Sequence, residues 1–432
     1  MTENPLTSSL KSLPPQLLVE AKLASHPLAD VAAETIARLE LGCAGTDWTG
    51  RQVAVATGSR GIARIDEVVR ATVAYLKSQG AHPFIVPCMG SHGGATAEGQ
   101  AEMLGTLGVT EEAMGAPIRA EMETVEVGRS VSGAAVVMSP VIREADSVII
   151  INRVKPHTDF VSGQIGSGVR KMCVIGLGKA DGAFNFHRAA SVAGYEPVMI
   201  EFSNIILNAL PHAFGVGLVE DACHQMARIE VMPGPEIAAR EPELFRLASG
   251  WMPRLPFGAI DVLVVDEMGK NISGSGMDTN VISRNIDGTR RTGTGVDVRA
   301  IYVRGLTPET HGNAIGLGFA EIVSAKLVRE MDHNSTYINS LSSMTPASSR
   351  TPMHFDSDAE CLGAALRMAG ADAAGARFVR IRNTLALNRF VASASFAEEI
   401  AKRDDLQVVG AAQAWQFDAQ GNIDTAADML RS

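Results

Sequence analysis

Short runs rich in Val and Ile alternate along this chain with longer segments of helical period, and this alternation limits the possible folds more than any other feature. DEVVRATVAYLKSQG (66–80) and AEGQAEMLGTLG (97–108) predict helices, each ending at a glycine. The runs that predict buried strands in the first half are RQVAVAT (51–57), HPFIVPCMG (82–90), DSVIIINRV (146–154) and KMCVIGLG (171–178). Apolar strands that alternate with helices indicate an α/β fold, in which helices cover both faces of a mainly parallel sheet.

A second series of strands and helices follows a proline-rich segment, residues 233–258. It comprises the predicted strands DVLVVDEMG (261–269), RAIYVRGL (299–306) and ARFVRIRNTL (376–385), and the predicted helix NAIGLGFAEIVSAKLVREM (313–331). Because 432 residues exceed the usual size of a single core, we predict two α/β domains, residues 1–255 and 256–432. Roughly the last 25 residues are candidates to pack back on the first domain.

Composition excludes several classes of protein. The net charge of −10 disfavours binding to nucleic acid or to an anionic membrane, since both require clustered Lys and Arg. The five cysteines are scattered and contain no CxxC pair, which favours a reduced, cytoplasmic protein without a disulfide framework. We find no signal-peptide pattern at the N-terminus and no apolar stretch of membrane-spanning length.

Unusual residues cluster in five segments at the predicted strand ends. In a doubly wound sheet the carboxyl ends of the strands meet at one edge, where ligands bind. Connections between strands and helices that leave this edge bring their side chains together. The segments are TGSRGIAR (57–64), GSHGGATAEG (90–99), the connection beginning VKPHTDF (154–171), FNFHRAA (184–190) and DEMGKNISGSGMDTN (266–280).

Two of these segments carry a histidine that a small ligand could reach. His92 lies between a serine and two glycines, although a lone histidine in such a place is more often a surface turn residue. His157 follows Pro156, whose fixed φ stiffens the loop. Asp159 could orient the His157 ring, or it could simply bond its own turn, which is the commoner role.

The remaining candidates are cations and a third histidine. Arg60 suits bidentate binding of a carboxylate, but any single arginine is by default a surface residue. Lys171 opens a predicted apolar strand, so it is either a desolvated, nucleophilic amine or a strand-end lysine that reaches solvent. His187 alone is more often a core histidine than a metal ligand. Since the sequence contains no HExxH or CxxC pattern and no carboxylate-rich cluster, the residues indicate an anion-binding pocket with two or three histidines able to exchange protons.

In order along the chain, these motifs resemble those of the nickel-pincer cofactor-dependent lactate racemase family, which comprises 2-hydroxy-acid racemases and epimerases. The Lys171-to-His187 interval of sixteen residues is similar to the interval between the lysine and the nickel-binding histidine of that family. The resemblance spans roughly residues 50 to 280, and six motifs in order are more specific than any one. They are TGSR with Arg60, GSHG with His92, KPH with His157, SGVRK with Lys171, FHRA with His187 and EMGK with Lys270.

This resemblance implies a two-domain α/β isomerase with its active site in the interdomain cleft. The implied cofactor is a pyridinium dithio-carboxylate mononucleotide attached to Lys171, which cofactor-assembly enzymes would supply through transient contact. Nickel would be held by sulfur, carbon and sulfur of that cofactor and by His187, a ligand set that suits a square-planar metal.

The resemblance also assigns the catalytic roles. His92 and His157 would act as proton acceptor and donor on the two sides of a 2-hydroxy acid, because a racemase must exchange a proton for either hand of substrate. Arg60 and Lys270 would bind the substrate carboxylate and stabilise charge on oxygen.

Departures from the family pattern concern the substrate pocket. Glu267 stands where the family has a neutral amide, Thr57 stands where an acidic residue precedes the arginine, and Tyr337 is a possible substitute for a tryptophan of the second domain. The interval from His157 to Lys171 is also longer than in the family. These changes favour a larger or more polar 2-hydroxy acid over lactate.

Two other functions fit the residues. One is a lyase of the aldolase or decarboxylase type, with Lys171 forming a Schiff base, which would need neither His187 nor nickel. The other is a non-catalytic binding module for a small anion, which would use Arg60 and Lys270 but not the histidines.

Overall fold

The computed structural model describes residues 6–58, 61–210, 212–291, 293, 295–423 and 429–430. The chain divides into two compact units, Ala24–Met252 and Pro253–Ser432, and Met1–Leu23 belongs to the second of them. We call them the 24–252 unit and the 253–432 unit. No helix in the described ranges combines the length and the apolar character needed to cross a membrane.

Strands and helices alternate along both units. The strands are β1 (Gln16–Ala21), β2 (Gln52–Thr57), β3 (His82–Pro87), β4 (Val125–Arg129), β5 (Ala135–Met138), β6 (Ser147–Arg153), β7 (Ala213–Glu220), β8 (Met226–Pro233), β9 (Ala259–Val265), β10 (Asp297–Val303), β11 (Ile322–Ser324), β12 (Met353–Phe355), β13 (Phe378–Ile381), β14 (Arg389–Ser393) and β15 (Leu406–Gln413). The α-helices are α1 (Val31–Gly42), α2 (Ile65–Ser78), α3 (Ala97–Thr106), α4 (Glu111–Met114), α5 (Pro140–Arg143), α6 (Val169–Lys171), α7 (Lys179–Ala193), α8 (Tyr195–Ala209), α9 (Ile237–Trp251), α10 (Thr279–Ile282), α11 (Ala325–Glu330), α12 (His333–Ser343), α13 (Asp358–Ala369) and α14 (Ala397–Ala401).

The 24–252 unit is built on a five-stranded sheet with the order β3-β2-β6-β7-β8. Strands β3, β2, β6 and β7 are parallel, whereas β8 pairs antiparallel with β7. Ala54 and Ala56 of β2 pack in one core with Phe202 of α8, and Val55 packs in another core with Leu76 of α2. Because successive strand residues point to opposite faces, helices cover both faces of this sheet. The predicted α/β class is confirmed.

The 253–432 unit has an eight-stranded sheet with the order β12-β11-β10-β9-β13-β14-β1-β15. The five strands from β12 to β13 are parallel, and β14, β1 and β15 are antiparallel. Residues 1–23 belong to this unit because β1 pairs between β14 and β15. Near the C-terminus, Met429 packs against Leu18 of β1 and Val391 of β14, so this part of the tail lies on the 253–432 unit.

Three predictions of secondary structure are wrong. Two of them concern the segments that carry Lys171 and His187. KMCVIGLG (171–178) is helical: Lys171 ends α6 and Met172–Leu177 forms a turn of π-helix. A short apolar run does not distinguish a buried strand from a buried helix, and Met172, Val174 and Leu177 are all buried. FNFHRAA (184–190) accordingly lies inside α7 rather than in a loop that follows a strand.

The predicted helix 313–331 breaks into shorter elements. Gly316 has φ +95°, a conformation that ends a helical path, and Ser324 then caps the short helix α11 after β11. Residues 237–251 of the proline-rich boundary segment form α9, which accommodates Pro242 in its N-terminal half. Its buried residues Ile237, Glu241 and Leu244 recur at helical spacing.

Candidate functional site

The connections after β2, β3 and β6 leave one edge of the sheet at a topological switch point. The chain passes from β2 outward to β3 and then returns to β6 on the other side of β2. In open α/β sheets, ligands bind outside the carboxyl ends of the strands at such a point. These connections contain TGSR, GSHG and KPH, respectively. Arg60, in the first of them, lies outside the described residues.

The π-helical turn that follows Lys171 packs against the first two connections. A Cβ on Gly58 would lie 3.1 Å from Cε of Met172, and a Cβ on Gly90 would lie 2.9 Å from Cγ2 of Ile175. Both glycines thus lie close to this turn, and Gly90 also has a φ of +62°, which favours glycine. The packing brings the element that carries Lys171 under the connections that follow β2 and β3.

His157 is held in a partly apolar, largely buried position. Its Nδ1 accepts a hydrogen bond from the backbone N–H of Asp159 at 3.1 Å, and its ring stacks on Phe160 with 4.8 Å between ring centroids. Burial lowers the pKa of His157 to about 4; the Asp159 carboxylate opposes this shift, and the positive charges of Lys171 and Lys155 add to it. The ring is therefore neutral at neutral pH.

His187 projects from α7 into an aromatic environment. Its ring makes edge contacts with Phe186 and Tyr195, at centroid distances of 5.3 and 5.9 Å. Burial lowers the pKa of His187, Asp159 opposes the shift, and Lys171 adds to it. Nδ1 of His187 is buried and has no hydrogen-bond partner within the part of the chain that is described. A buried, unpaired imidazole nitrogen is unusual and available to a ligand.

Electrostatic interaction joins these residues into one group. Lys171 acts on the pKa of both His157 and His187, and so does Asp159. The pKa of Tyr195 is raised to about 12 by burial and by the Asp159 charge. The structure thus brings together three of the residues singled out in the sequence, His157, Lys171 and His187. Lys171 itself is half-buried.

His92 lies in the connection between β3 and α3, before a short 3-10 turn at Gly93–Ala95. The buried Gln100 restrains this loop, because its Nε2 donates a hydrogen bond to the carbonyl of Gly90 at 2.8 Å. The loop contacts the π-helical turn through Gly90 and Ile175. The His92 side chain is half-buried.

The other predicted site residues lie in the 253–432 unit. Oε1 of Glu267 accepts from Nε of Arg382 and from Nδ2 of Asn383, both at 2.9 Å, so its charge is compensated. Nζ of Lys270 donates to the carbonyl of Gly274 at 3.0 Å. The exposed Tyr337 lies on α12, with its hydroxyl 3.2 Å from Nδ1 of His333.

Sequence reasoning missed the aromatic side chains of the site. Phe160 stacks on both His157 and Tyr195, at 4.8 and 5.7 Å, and Phe186 contacts His187 and Tyr195. Phe160 and Phe186 lie in the very segments that were singled out for their histidines. Tyr195 starts the next helix and carried no local signal.

His187 is the candidate metal ligand in this group of side chains. Across the described ranges, no group of three or more His, Cys, Asp or Glu side chains could hold a metal ion. Nδ1 of His187 can supply one donor, since the lowered pKa keeps the ring neutral and the atom has no partner among the described residues. This chemistry fits a cofactor that brings its own donor atoms and takes one imidazole from the chain.

Comparison with known proteins gives one sequence-level match. Residues 50–196 match the model of the lactate racemase N-terminal domain family. No curated protein sequence matches the chain. Similar solved structures include a structural-genomics protein from Thermotoga maritima, at 15% identity and a TM-score of 0.48 over 65% of this chain and 72% of that one. The lactate racemase apoprotein from Thermoanaerobacterium thermosaccharolyticum is similar at 12% identity and a TM-score of 0.45, over 82% of this chain and 86% of that one.

Proposed function

We propose, from the match of residues 50–196 to the lactate racemase N-terminal domain family, that this chain is an isomerase, a racemase or epimerase of a 2-hydroxy acid. The match contains five of the residues assigned to the reaction, namely Arg60, His92, His157, Lys171 and His187. The reacting substrate is a small molecule with a hydroxyl group and a carboxylate on neighbouring carbons.

Lys171 and His187 are the residues that would hold the cofactor. The Lys171 amine would be the covalent attachment point of a pyridinium dithio-carboxylate mononucleotide, and Nδ1 of His187 would bind its nickel. When bound, this group supplies a reversible hydride acceptor. The buried and unpartnered Nδ1 of His187, electrostatically linked to Lys171, is the single observation that carries the proposal.

His157 and His92 are the proton carriers. The lowered pKa of His157 keeps its ring neutral. Nδ1, which accepts from the Asp159 N–H in the resting ring, is the unprotonated nitrogen, and it would take up the hydroxyl proton of a bound substrate as that hydrogen bond opens. His92 serves the opposite hand of substrate, since inversion requires a proton acceptor on each side. The rings of Phe160, Phe186 and Tyr195 contact His157 and His187, and such apolar surroundings strengthen electrostatic interactions.

We assign binding of the substrate carboxylate to Arg60 and Lys270, whose positive charges suit this group. Glu267 and Tyr337 are further candidates for contact with the rest of the molecule. Because Arg382 and Asn383 engage Glu267, its charge need not repel an anionic substrate. The departures from the family pattern at Thr57 and Glu267 favour a larger or more polar 2-hydroxy acid than lactate.

The test is to produce the chain together with the cofactor-assembly enzymes and to measure its intact mass and its nickel content. We expect a mass increment located at Lys171 and nickel bound to the protein. Lys171→Ala should abolish the increment, whereas Lys155→Ala, which removes a neighbouring lysine, should retain it. Absence of nickel, together with an adduct at Lys171 trapped by borohydride and a carbonyl substrate, would instead establish the Schiff-base lyase.

A further inference from the structure

The helical turn that carries Lys171 begins against a buried carboxyl group from a distant part of the sequence. Glu241 of α9 is only 3% exposed. Its Oε2 and Oε1 lie 3.2 and 3.4 Å from the backbone nitrogen of Arg170, and the N–H of Val169 donates to it as well. The first N–H groups of a helix have no partner within the helix, and here Glu241 binds two of them.

Gly168 makes this contact possible. It occupies the N-cap position of α6 with no side chain of its own to bind the helix, and a Cβ at this residue would collide with Oε1 of Glu241. Its φ of −170° is extended and open to any residue, so glycine is required here for space. On the other side, Nδ2 of Asn152 donates to the Gly168 carbonyl at 2.8 Å. The start of the turn is thus enclosed by two buried side chains.

The side chain of Arg170, the residue before Lys171, is held by a third element, the helix α8. Its Nε donates to Oγ of Ser203 at 2.9 Å and its Nη2 donates to Oδ1 of Asn204 at 2.7 Å, both on α8. Three elements, α9, β6 and α8, therefore restrain the turn immediately before Lys171. Burying a carboxyl group is costly, and a local Ser or Thr at the N-cap would satisfy a helix start at lower cost.

We propose that Glu241 is a positioning residue for Lys171: by fixing the start of its helical turn, Glu241 presents the lysine amine in the orientation that cofactor attachment requires. The reference to the cofactor rests on the proposed function, whereas the restraint on the turn is independent of it. The restrained turn leaves Lys171 half-buried, and a half-buried amine reacts more slowly with reagents in solution than an exposed one. Loss of the contact between Glu241 and this turn should therefore raise the rate at which a reagent in solution acylates Lys171. It should also lower the amount of cofactor that the assembly enzymes attach to Lys171.

The contact can be broken from either side. Glu241→Asp keeps the carboxyl group but shortens the side chain, and Gly168→Ala inserts a methyl group where the carboxyl oxygen lies. Glu241→Gln keeps both the length and an acceptor oxygen, so it should act as a rescue. Glu236→Gln is a matched control, because Glu236 precedes α9 but is 53% exposed and pairs with Arg240.

The first measurement is acetylation of cofactor-free protein by an N-hydroxysuccinimide ester, read by peptide mass spectrometry. We expect the rate at Lys171, relative to the 71%-exposed Lys326, to rise about fivefold in Glu241→Asp and Gly168→Ala. This factor corresponds to the loss of a typical helix cap. Glu241→Gln and Glu236→Gln should stay near the wild-type value. An unchanged relative rate in both disrupting variants would overturn the proposal.

The second measurement is the occupancy of the mass increment at Lys171 after production with the cofactor-assembly enzymes. Occupancy should fall about fivefold in Glu241→Asp and Gly168→Ala and recover in Glu241→Gln. If acetylation of Lys171 is faster but the occupancy of the mass increment is undiminished, Glu241 only caps the helix. This result would also overturn the proposal. If wild-type protein gains no increment, the proposed function fails, and the acetylation rates still decide whether Glu241 positions the Lys171 amine.

Discussion

The backbone N–H of Asp159 donates to Nδ1 of His157 across 3.1 Å, and the Asp159 carboxylate lies 3.9 Å from the same nitrogen. A nitrogen that accepts a hydrogen bond carries no proton, so the neutral His157 ring holds its proton on Nε2. When the ring is protonated, Nδ1 becomes a donor, and the carboxylate of Asp159 is the nearby group that can receive it. One residue thus serves both protonation states of His157.

Because of this hydrogen bond, a variant can be chosen that removes the proton-carrying ring of His157 but preserves the structure of its loop. In His157→Asn, the side-chain oxygen can accept from the Asp159 N–H in place of Nδ1, but the variant has no ring nitrogen that can take up and return a proton. We expect the rate of stereochemical inversion to fall about 10²-fold or more, with thermal stability nearly unchanged. Chiral chromatography of a panel of 2-hydroxy acids, treated with cofactor-loaded protein, measures the rate. The exposed His212→Asn is the control, and a near-normal rate in His157→Asn would remove His157 from the mechanism.

The pKa of His157 also predicts how stability changes in acid. The folded-state pKa of about 4 lies below the ordinary value of 6.5, so the unfolded chain binds the proton more tightly. The stabilising contribution is fully present above pH 6.5 and is lost as the pH falls through 4. Between pH 6.5 and pH 4, this titration lowers the free energy of unfolding by about 3 kcal/mol. Urea unfolding at pH 4 to 7 should show this loss in the wild type and a shallower slope in His157→Asn; equal slopes would contradict the assignment.

The sequence predicted those parts of the site that follow from strand periodicity. Strands β2, β3 and β6 are short apolar runs, and the loops of His92 and His157 follow directly from their ends. The placement of His187 could not be predicted in the same way, because KMCVIGLG is apolar on every side and reads equally as strand or helix. Glu241 carries no local signal at all, since it reaches the Lys171 turn from 71 residues away in sequence.

For Glu241 we expect the opposite pH dependence: its titration lowers the stability of the fold as the pH rises. Burial raises its pKa to about 7 from the ordinary 4.5, although the N–H groups of Arg170 and Val169 and the Arg170 charge oppose the shift. Its contribution is therefore fully present below pH 4.5 and is lost as the pH rises through 7, at a cost of about 3 kcal/mol. Glu241→Gln cannot ionise, so it should exceed the wild type in stability at pH 8 and match it near pH 5. Urea unfolding at the two pH values measures this, and a constant difference between the two proteins would refute the shift.

His187→Ala separates covalent attachment from metal binding. Because Nδ1 of His187 is buried and has no partner among the described residues, its removal deletes one donor atom without breaking a hydrogen bond at Nδ1. Protein made with the cofactor-assembly enzymes should keep the mass increment at Lys171 but lose most of its nickel on gel filtration, about tenfold relative to the wild type. Inductively coupled plasma mass spectrometry and intact-mass measurement on the same sample report the two quantities. His212→Ala should retain both, and a wild-type nickel content in His187→Ala would show that the metal is held without this histidine.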